Sequence, residues 1–238
     1  NVSGVNANWE LGQPNYGATS SSYSQPNSWD VNLLSPYADD ANCRLYSPYF
    51  DLSGAVHPKL EFWQNRNSET GWDGLRIEYK SGSDPNWYVL GVVNDPNAQN
   101  WYTDPALNSS NLAGWEGNSG GWIQCIYNLD SVNLGNIVQF RYVFTSDQSV
   151  PLDGVSIDNF MISTIYTNDA SLNSFVSPGA LVIQGTSTNV EVMLKNNGSL
   201  PLSGLTIKYV LNGGAPVSYA WTGNLLTDSS LLVSLAPF

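Results

Sequence analysis

Apolar and polar residues alternate with a period of two along most of the chain, and we find no convincing helical period. Turn-forming residues (Gly, Pro, Asn and Asp) interrupt the alternation about every ten residues, a spacing typical of β-sandwiches and barrels. The pattern therefore predicts an all-β protein. The strands predicted in the first two thirds are Ser28–Leu33, Cys43–Phe50, Lys59–Gln64, Leu75–Lys80, Trp87–Leu90, Trp122–Leu129, Val138–Phe144 and Val155–Ser163.

The alternation changes character near Tyr166, which predicts two domains, 1–166 and 167–238. Five strands are predicted in the second domain, two short of the roughly seven in an immunoglobulin-like sandwich. We therefore expect the second domain to be truncated. Its predicted strands are Leu172–Val176, Asn189–Leu194, Leu205–Leu211, Val217–Trp221 and Leu231–Leu235, with turns at 177–179, 196–198, 212–214 and 222–224.

The segment Ser146–Ile162 closes the first domain with an acidic turn followed by a strand. Asp158 lies inside this otherwise apolar strand. A buried carboxylate is costly unless a cation or hydrogen-bond donors meet it. The sequence therefore predicts that Asp158 reaches a bound cation, and the alternative is that it accepts backbone N–H groups.

The charge balance is strongly acidic, with 8 Lys and Arg against 20 Asp and Glu and a net charge of −12. Such a chain is a poor partner for nucleic acid or an anionic membrane, and it offers oxygen ligands for calcium. No apolar run reaches the length of a membrane span. The first residue is Asn1, consistent with a mature or excised fragment, and the two cysteines, Cys43 and Cys125, allow one disulfide that the sequence leaves undecided.

Catalysis finds little support among the residues. The only histidine, His57, precedes a proline at the start of a strand and lacks an evident oriented partner. Nucleophile and zinc motifs are missing, and one histidine with two distant cysteines does not make a zinc site. We expect a chain without its own chemistry.

A cluster of acids is predicted around Glu69, Asp73, Asp147 and Asp153. If the sandwich is a jelly roll, the end of strand 138–144 lies beside the start of strand 75–80, which brings Asp147 close to Asp73. Two close carboxylates repel each other unless a cation or a shared proton intervenes. The alternative is that each is a turn residue, since Asp73 and Asp153 both precede glycine.

The long connection Val92–Gly121 contains Trp101, Tyr102 and Trp115. Long aromatic loops on a rigid sandwich often bind ligands, and flat aromatic faces suit polysaccharides. We take these three residues as candidate ligand contacts. The alternative is that they cover the core, since aromatic residues commonly fill the interior.

Several segments of the first domain resemble the jelly-roll modules related to MAM (meprin-type) and cleaved-adhesin domains, among them NWELGQPN, CRLYSPYFDLSG, GWIQCIYNLD and GVSIDNFMI. The resemblance implies a jelly-roll β-sandwich with a structural calcium held by an acid of the opening strand and an Asp of the closing strand. The matching residues are Glu10 and Asp158. We add Asp40, whose loop enters its strand from the same end.

The second domain, through NDASLNSFVSPG and NVEVMLKNNGSLPLSGLTIKYVLNGG, resembles the bacterial cell-adhesion-related (CARDB-like) immunoglobulin-like module. Together the two resemblances imply a non-catalytic region of a secreted or surface bacterial protein.

Three functional hypotheses follow from these observations. The first is a calcium-stabilised binding or adhesion region that attaches to a polysaccharide or an extracellular protein. The second is the accessory C-terminal region of a secreted metallopeptidase, and the third is a structural spacer. In each case we expect a monomer that neither inserts into a membrane nor binds nucleic acid.

Overall fold

The computed structural model describes residues 1–132, 134–179, 187–210 and 213–235. Two compact units make up the chain, which we call the N-terminal unit (Asn1–Ser163) and the C-terminal unit (Thr164–Phe238). Nearly all of the regular structure is antiparallel strand, so the predicted all-β sandwich class is confirmed. No helix in the described part of the chain is long and apolar enough to cross a membrane.

Thirteen of the described strands begin in the N-terminal unit, which also has short 3₁₀ turns at Gly17–Thr19 and Leu129–Ser131. The strands are β1 (Val2–Val5), β2 (Trp9–Gly12), β3 (Ser28–Val31), β4 (Asn42–Asp51), β5 (Val56–Asn67), β6 (Gly74–Ser81), β7 (Tyr88–Val89), β8 (Ala98–Gln99), β9 (Asp104–Leu107), β10 (Leu112–Gly114), β11 (Ile123–Asn128), β12 (Ile137–Thr145) and β13 (Gly154–Ile165).

These strands form a five-stranded sheet, β1-β4-β12-β6-β7, and a six-stranded sheet, β2-β3-β13-β5-β11-β8. Strands that follow one another in the chain mostly lie in opposite sheets, which is the connectivity of a jelly roll. Strands β9 and β10 form a separate hairpin. This topology brings β13, the last strand, between β3 and β5.

The core of the N-terminal unit is rich in aromatic residues. Phe62 of one sheet packs edge-on against Tyr142 of the other, with ring centroids 5.1 Å apart. Both cysteines are free and buried, Cys43 on β4 and Cys125 on β11. Inward-facing residues of the two sheets thus fill one continuous interior, as the alternating pattern predicts.

Sequence reasoning missed some elements. Strand β1 was not predicted, and β8, β9 and β10 lie inside the segment predicted as one long connection, 92–121. These strands are short, so their alternation covers too few residues to give a signal.

The C-terminal unit has a three-stranded sheet, β14-β15-β18, and a two-stranded sheet, β16-β17. Apolar residues of both sheets meet in one cluster that includes Val192, Ile207 and Trp221. Its strands are β14 (Ala170–Ser177), β15 (Glu191–Asn196), β16 (Leu202–Tyr209), β17 (Val217–Leu225) and β18 (Ser230–Ser234).

One predicted turn of this unit, 222–224, is wrong because those residues lie inside β17. A side chain at Gly223 would meet the ring of Trp221 at 2.6 Å, so the glycine makes room for packing rather than for a turn. Leu211 and Asn212, from another predicted strand and turn, lie outside the described residues.

Asn196 fixes the connection between β15 and β16. Its fully buried side-chain amide donates to the carbonyls of Leu200 (2.8 Å) and Leu225 (2.9 Å), and its Oδ1 accepts from the Gly198 N–H (2.8 Å). One side chain therefore satisfies three backbone groups.

Replacing this side chain should destabilise the C-terminal unit. We expect Asn196→Ala to lower the free energy of unfolding by about 3 kcal/mol, because it leaves buried backbone groups without partners. Urea unfolding would measure the change. The matched control, Asn173→Ala at an exposed position of β14, should change it by less than about 0.5 kcal/mol. Equal effects of the two variants would contradict this role.

Candidate metal centre

The pairing of β6 and β12 brings two acidic connections together. Thr145, the last residue of β12, is paired with Gly74, the first residue of β6. Asp73 immediately precedes Gly74, and Asp147 follows Thr145 by two residues. The Asp147 N–H consequently donates to Asp73 Oδ1 at 2.8 Å. Asp73 and Asp147 therefore meet as the strand order predicted.

Glu69 joins these two residues to form a cluster that we call the acidic triad. One carboxylate oxygen from each of Glu69, Asp73 and Asp147 lies within 4.8 Å of the other two. None of the ion pairs in the described part of the chain involves the triad. Three carboxylates this close repel one another strongly unless a cation or protons neutralise them.

Burial makes this repulsion more costly. The Asp73 side chain is fully buried, and its Oδ2 accepts a hydrogen bond from the Tyr37 hydroxyl at 2.8 Å. Burial raises the pKa of Asp73 to about 6; hydrogen bonds from Asp147 N–H and Tyr37 oppose the rise, and the charges of Asp147 and Glu69 add to it. Without a metal, the triad therefore favours protonation of Asp73, which reduces its negative charge. A bound cation would neutralise the same charge.

The donor atoms of the triad fit a hard cation. All are carboxylate oxygens, the ligands that calcium prefers, and the triad contains neither the nitrogen nor the sulfur donors typical of zinc. Glu69 Oε2 is buried and has no hydrogen-bond partner among the described residues. A cation would satisfy this oxygen.

Two other predicted ligands lie nearby without joining the triad. Asp40 is exposed and reaches the cluster through its backbone, since its N–H donates to the Asp147 carbonyl at 2.5 Å. Asp153 Oδ2 accepts from the Ala18 N–H and from Asn67 Nδ2, at 2.5 and 3.1 Å. Asp153 therefore holds the segment around Ala18 against the sheet.

Glu10 and Asp158, the implied calcium clamp, are not brought together. Glu10 lies on β2 and Asp158 on β13, with β3 between these strands. Glu10 is exposed and accepts from the Leu33 N–H at 3.1 Å. Asp158 is half-buried and accepts from the N–H groups of Ser24 and Asn159, both at 2.7 Å. Hydrogen-bond donors thus meet both acids, and a metal at this pair stays a prediction.

The three aromatic residues proposed as ligand contacts lie in the core. Trp101, Tyr102 and Trp115 are 7%, 3% and 0% exposed. Their polar atoms bond to backbone carbonyls, as when Trp115 Nε1 donates to Asn100 O at 3.0 Å. The hypothesis that these three residues form an exposed loop platform for a ligand is therefore corrected: the rings have no free face, because the long connection folds into the sandwich.

His57 is an exposed residue of β5, and its Nδ1 lies 2.7 Å from Asp130 Oδ2. Both side chains are open to solvent, at 58% and 40% exposure. Such surface pairs contribute little to stability.

Asp30 is a buried acid that sequence reasoning missed. It is 1% exposed on β3, its Oδ2 accepts from the Ser156 hydroxyl, and its Oδ1 has no partner among the described residues. Burial raises the pKa of Asp30 to about 8; the Ser156 hydrogen bond opposes this, and the charges of Asp153 and Glu10 add to it. The signal was an aspartate between the apolar residues of SWDVNL.

Asp30 should make the N-terminal unit less stable as pH rises. An acid whose pKa is higher in the folded state keeps a proton that the unfolded chain releases. Its contribution to the free energy of unfolding is therefore full below pH 4 and is lost as pH rises toward 8. Between pH 5 and 7 we expect this group to lower the free energy of unfolding with the slope that one released proton per molecule gives. Urea unfolding in chelator, compared with Asp30→Asn, measures the difference.

Asp39→Asn, at an exposed position, is the control and should keep the wild-type slope. If Asp30→Asn also kept that slope, Asp30 would not be the titrating group.

The chain is similar to bacillopeptidase F of Bacillus subtilis (strain 168), with 27% identity over 162 residues. The match covers 68% of this chain and 10% of that protein. The matched region is thus a small part of the length of that protein. No protein-family model matches the chain.

Two solved structures are similar over the full chain at low scores. The glycoside hydrolase domain of Endo-D from Streptococcus pneumoniae R6 has a TM-score of 0.39 at 11% identity, with 31% of that chain covered. The GH2 β-galacturonidase from Eisenbergiella tayi has a TM-score of 0.23 at 10% identity, with 37% covered. Neither similarity is close enough to support an argument about fold or function.

Proposed function

We propose that this chain is a non-catalytic, calcium-stabilised binding region of a larger secreted or surface bacterial protein. The observation that supports calcium binding is the acidic triad, three neighbouring carboxylates of which one, Asp73, is fully buried. Calcium there would neutralise the repulsion and join the connection after β5 to the connection after β12. Glu69, Asp73 and Asp147 would supply the protein oxygens.

Fixed connections matter for binding because an ordered surface loses less conformational entropy when a ligand arrives. The triad lies at one end of the sandwich, where β5, β6 and β12 begin or end. Calcium would therefore act on the connections, while the strands are held by their own hydrogen bonds.

The accessory role is supported by the similarity to a peptidase of which this chain matches only a tenth. We propose a region attached to a peptidase, made of a MAM-like jelly roll and a CARDB-like module. Its partner would be a polysaccharide or an extracellular protein. The parent reading frame tests this role, since it should also encode a peptidase domain.

Calcium titration calorimetry tests the metal site directly. We expect saturable binding to the full chain and its loss in Asp73→Asn, because the substitution removes the buried carboxylate. Asp104→Asn, at a half-buried position of β9, should leave binding unchanged. Equal binding by wild type and Asp73→Asn would exclude the triad, and a lack of binding by all three proteins would exclude the calcium proposal.

A further inference from the structure

One surface of the five-stranded sheet collects positive charge although the chain is acidic as a whole. We call it the basic face; its residues are Arg44, Tyr46, Arg76, Glu78, Lys80 and Arg141. The register pairs Arg141 with both Tyr46 and Glu78. Paired residues of antiparallel strands, and residues two apart on one strand, point to the same side of a sheet. These side chains therefore share one face, opposite the core.

The charge of the basic face contrasts with that of the chain. Four cations accompany one carboxylate, a net charge of +3, and these four are half of the eight Lys and Arg residues in the sequence. Asp51 lies on the same side at the far end of β4. At physiological ionic strength, screening over about 8 Å limits the influence of more distant acids. An anion at this surface would therefore meet a locally positive potential.

Two guanidinium groups share a single carboxylate at the centre of this face. Arg76 Nε lies 2.6 Å from Glu78 Oε1, and Arg141 Nε lies 2.7 Å from Glu78 Oε2. The Arg76 side chain is only 8% exposed, and its Nη1 has no hydrogen-bond partner among the described residues. A buried cation in excess of its counter-charge is costly. An anion bound at the surface beside this pair would offset the excess positive charge without contacting Arg76 itself.

Aromatic rings lie beside these cations. Arg141 Cζ lies 4.1 Å from the centroid of the Trp87 ring, and Lys80 Nζ lies 5.4 Å from it. Tyr49, paired with Gln139 next to Lys80, is 53% exposed. Flat aromatic surfaces beside guanidinium groups suit a ligand that combines apolar ring faces with carboxylates.

We propose that the basic face binds an acidic polysaccharide whose sugar rings carry carboxylate groups. Its carboxylates would pair with Arg44 and Lys80, above the buried Arg76, and a sugar face would lie against Tyr49. An acidic peptide would satisfy the cations but has no ring to place on the aromatic surface. This inference rests on the proposed binding role, and it is independent of the acidic triad.

Affinity measurements on the full chain test this inference, with hyaluronan oligosaccharides as the acidic probe and chitohexaose as the neutral one. We expect hyaluronan to bind, with an affinity that falls as salt rises, and chitohexaose to bind at least tenfold more weakly. Arg44→Ala and Lys80→Ala should each weaken hyaluronan binding about tenfold, and Tyr49→Ala should weaken it by a comparable factor. Lys59→Ala is the matched control, since Lys59 is an exposed cation on β5 of the other sheet.

Each outcome distinguishes the assignments. Equal losses in Lys59→Ala and Arg44→Ala would show diffuse charge binding and overturn the assigned face. Poly-glutamate binding as tightly as hyaluronan, with Tyr49→Ala unaffected, would point to an acidic peptide and overturn the polysaccharide. If hyaluronan does not bind while calcium still does, this inference fails alone. If calcium does not bind but hyaluronan does, only the calcium proposal fails.

Discussion

Calcium should raise the melting temperature of the N-terminal unit by several degrees, and Asp147→Asn should remove this effect. A ligand that binds only the folded state at 100 times its dissociation constant adds about 2.7 kcal/mol of stability. For a unit of this size, each kcal/mol shifts the melting temperature by roughly 2–4 °C. Calorimetric scans with calcium and with chelator would measure the shift.

The triad also predicts the sign of a second effect. In chelator, Asp147→Asn should melt above the wild type, because removing one of three clustered charges relieves repulsion around Asp73. A variant that merely damaged the fold would melt lower in both conditions. Asp147→Asn should therefore melt above the wild type in chelator and below it in calcium. This reversal is specific to a cation site.

The implied clamp of Glu10 and Asp158 provides the competing assignment. The double variant Glu10→Gln/Asp158→Asn should retain the full calcium shift, because the structure separates these acids by strand β3. Loss of the shift in this double variant, with retention in Asp147→Asn, would move the metal to the clamp. If calcium did not change the melting temperature of the wild type, both assignments would be contradicted.

Trp115→Ala should destabilise the N-terminal unit by about 3–5 kcal/mol. The Trp115 ring is fully buried and lies 4.5 Å from Tyr102, 4.9 Å from Trp101 and 5.7 Å from Phe62, measured between centroids. Its removal would leave a cavity among rings that cannot easily move together. Urea unfolding followed by tryptophan fluorescence would measure the loss.

The matched control is Trp72→Ala, since Trp72 is 45% exposed. We expect it to cost less than about 1 kcal/mol. The Trp115 result also separates the two interpretations of the aromatic connection. A stable Trp115→Ala protein with impaired ligand binding would restore the loop-platform hypothesis.

The sequence determined the β class and most of the strands, because alternation over six or more residues is a local property. It also predicted that Asp73 and Asp147 lie close together. Asp73 immediately precedes β6 and Asp147 follows β12, and these two strands are neighbours in a jelly roll. Asp30 stood between apolar residues and could have been found in the same way.

Only the tertiary structure decided which side chains were buried. The long connection has the aromatic residues typical of a binding loop, yet its Trp101, Tyr102 and Trp115 are buried in the core. A long connection can fold inward without any change in its local sequence pattern. The basic face has the same origin: Arg44, Arg76 and Arg141 are far apart in the sequence, and strand pairing alone places them side by side. Local alternation fixes which side of a strand a residue takes, whereas its neighbours across the sheet depend on the whole topology.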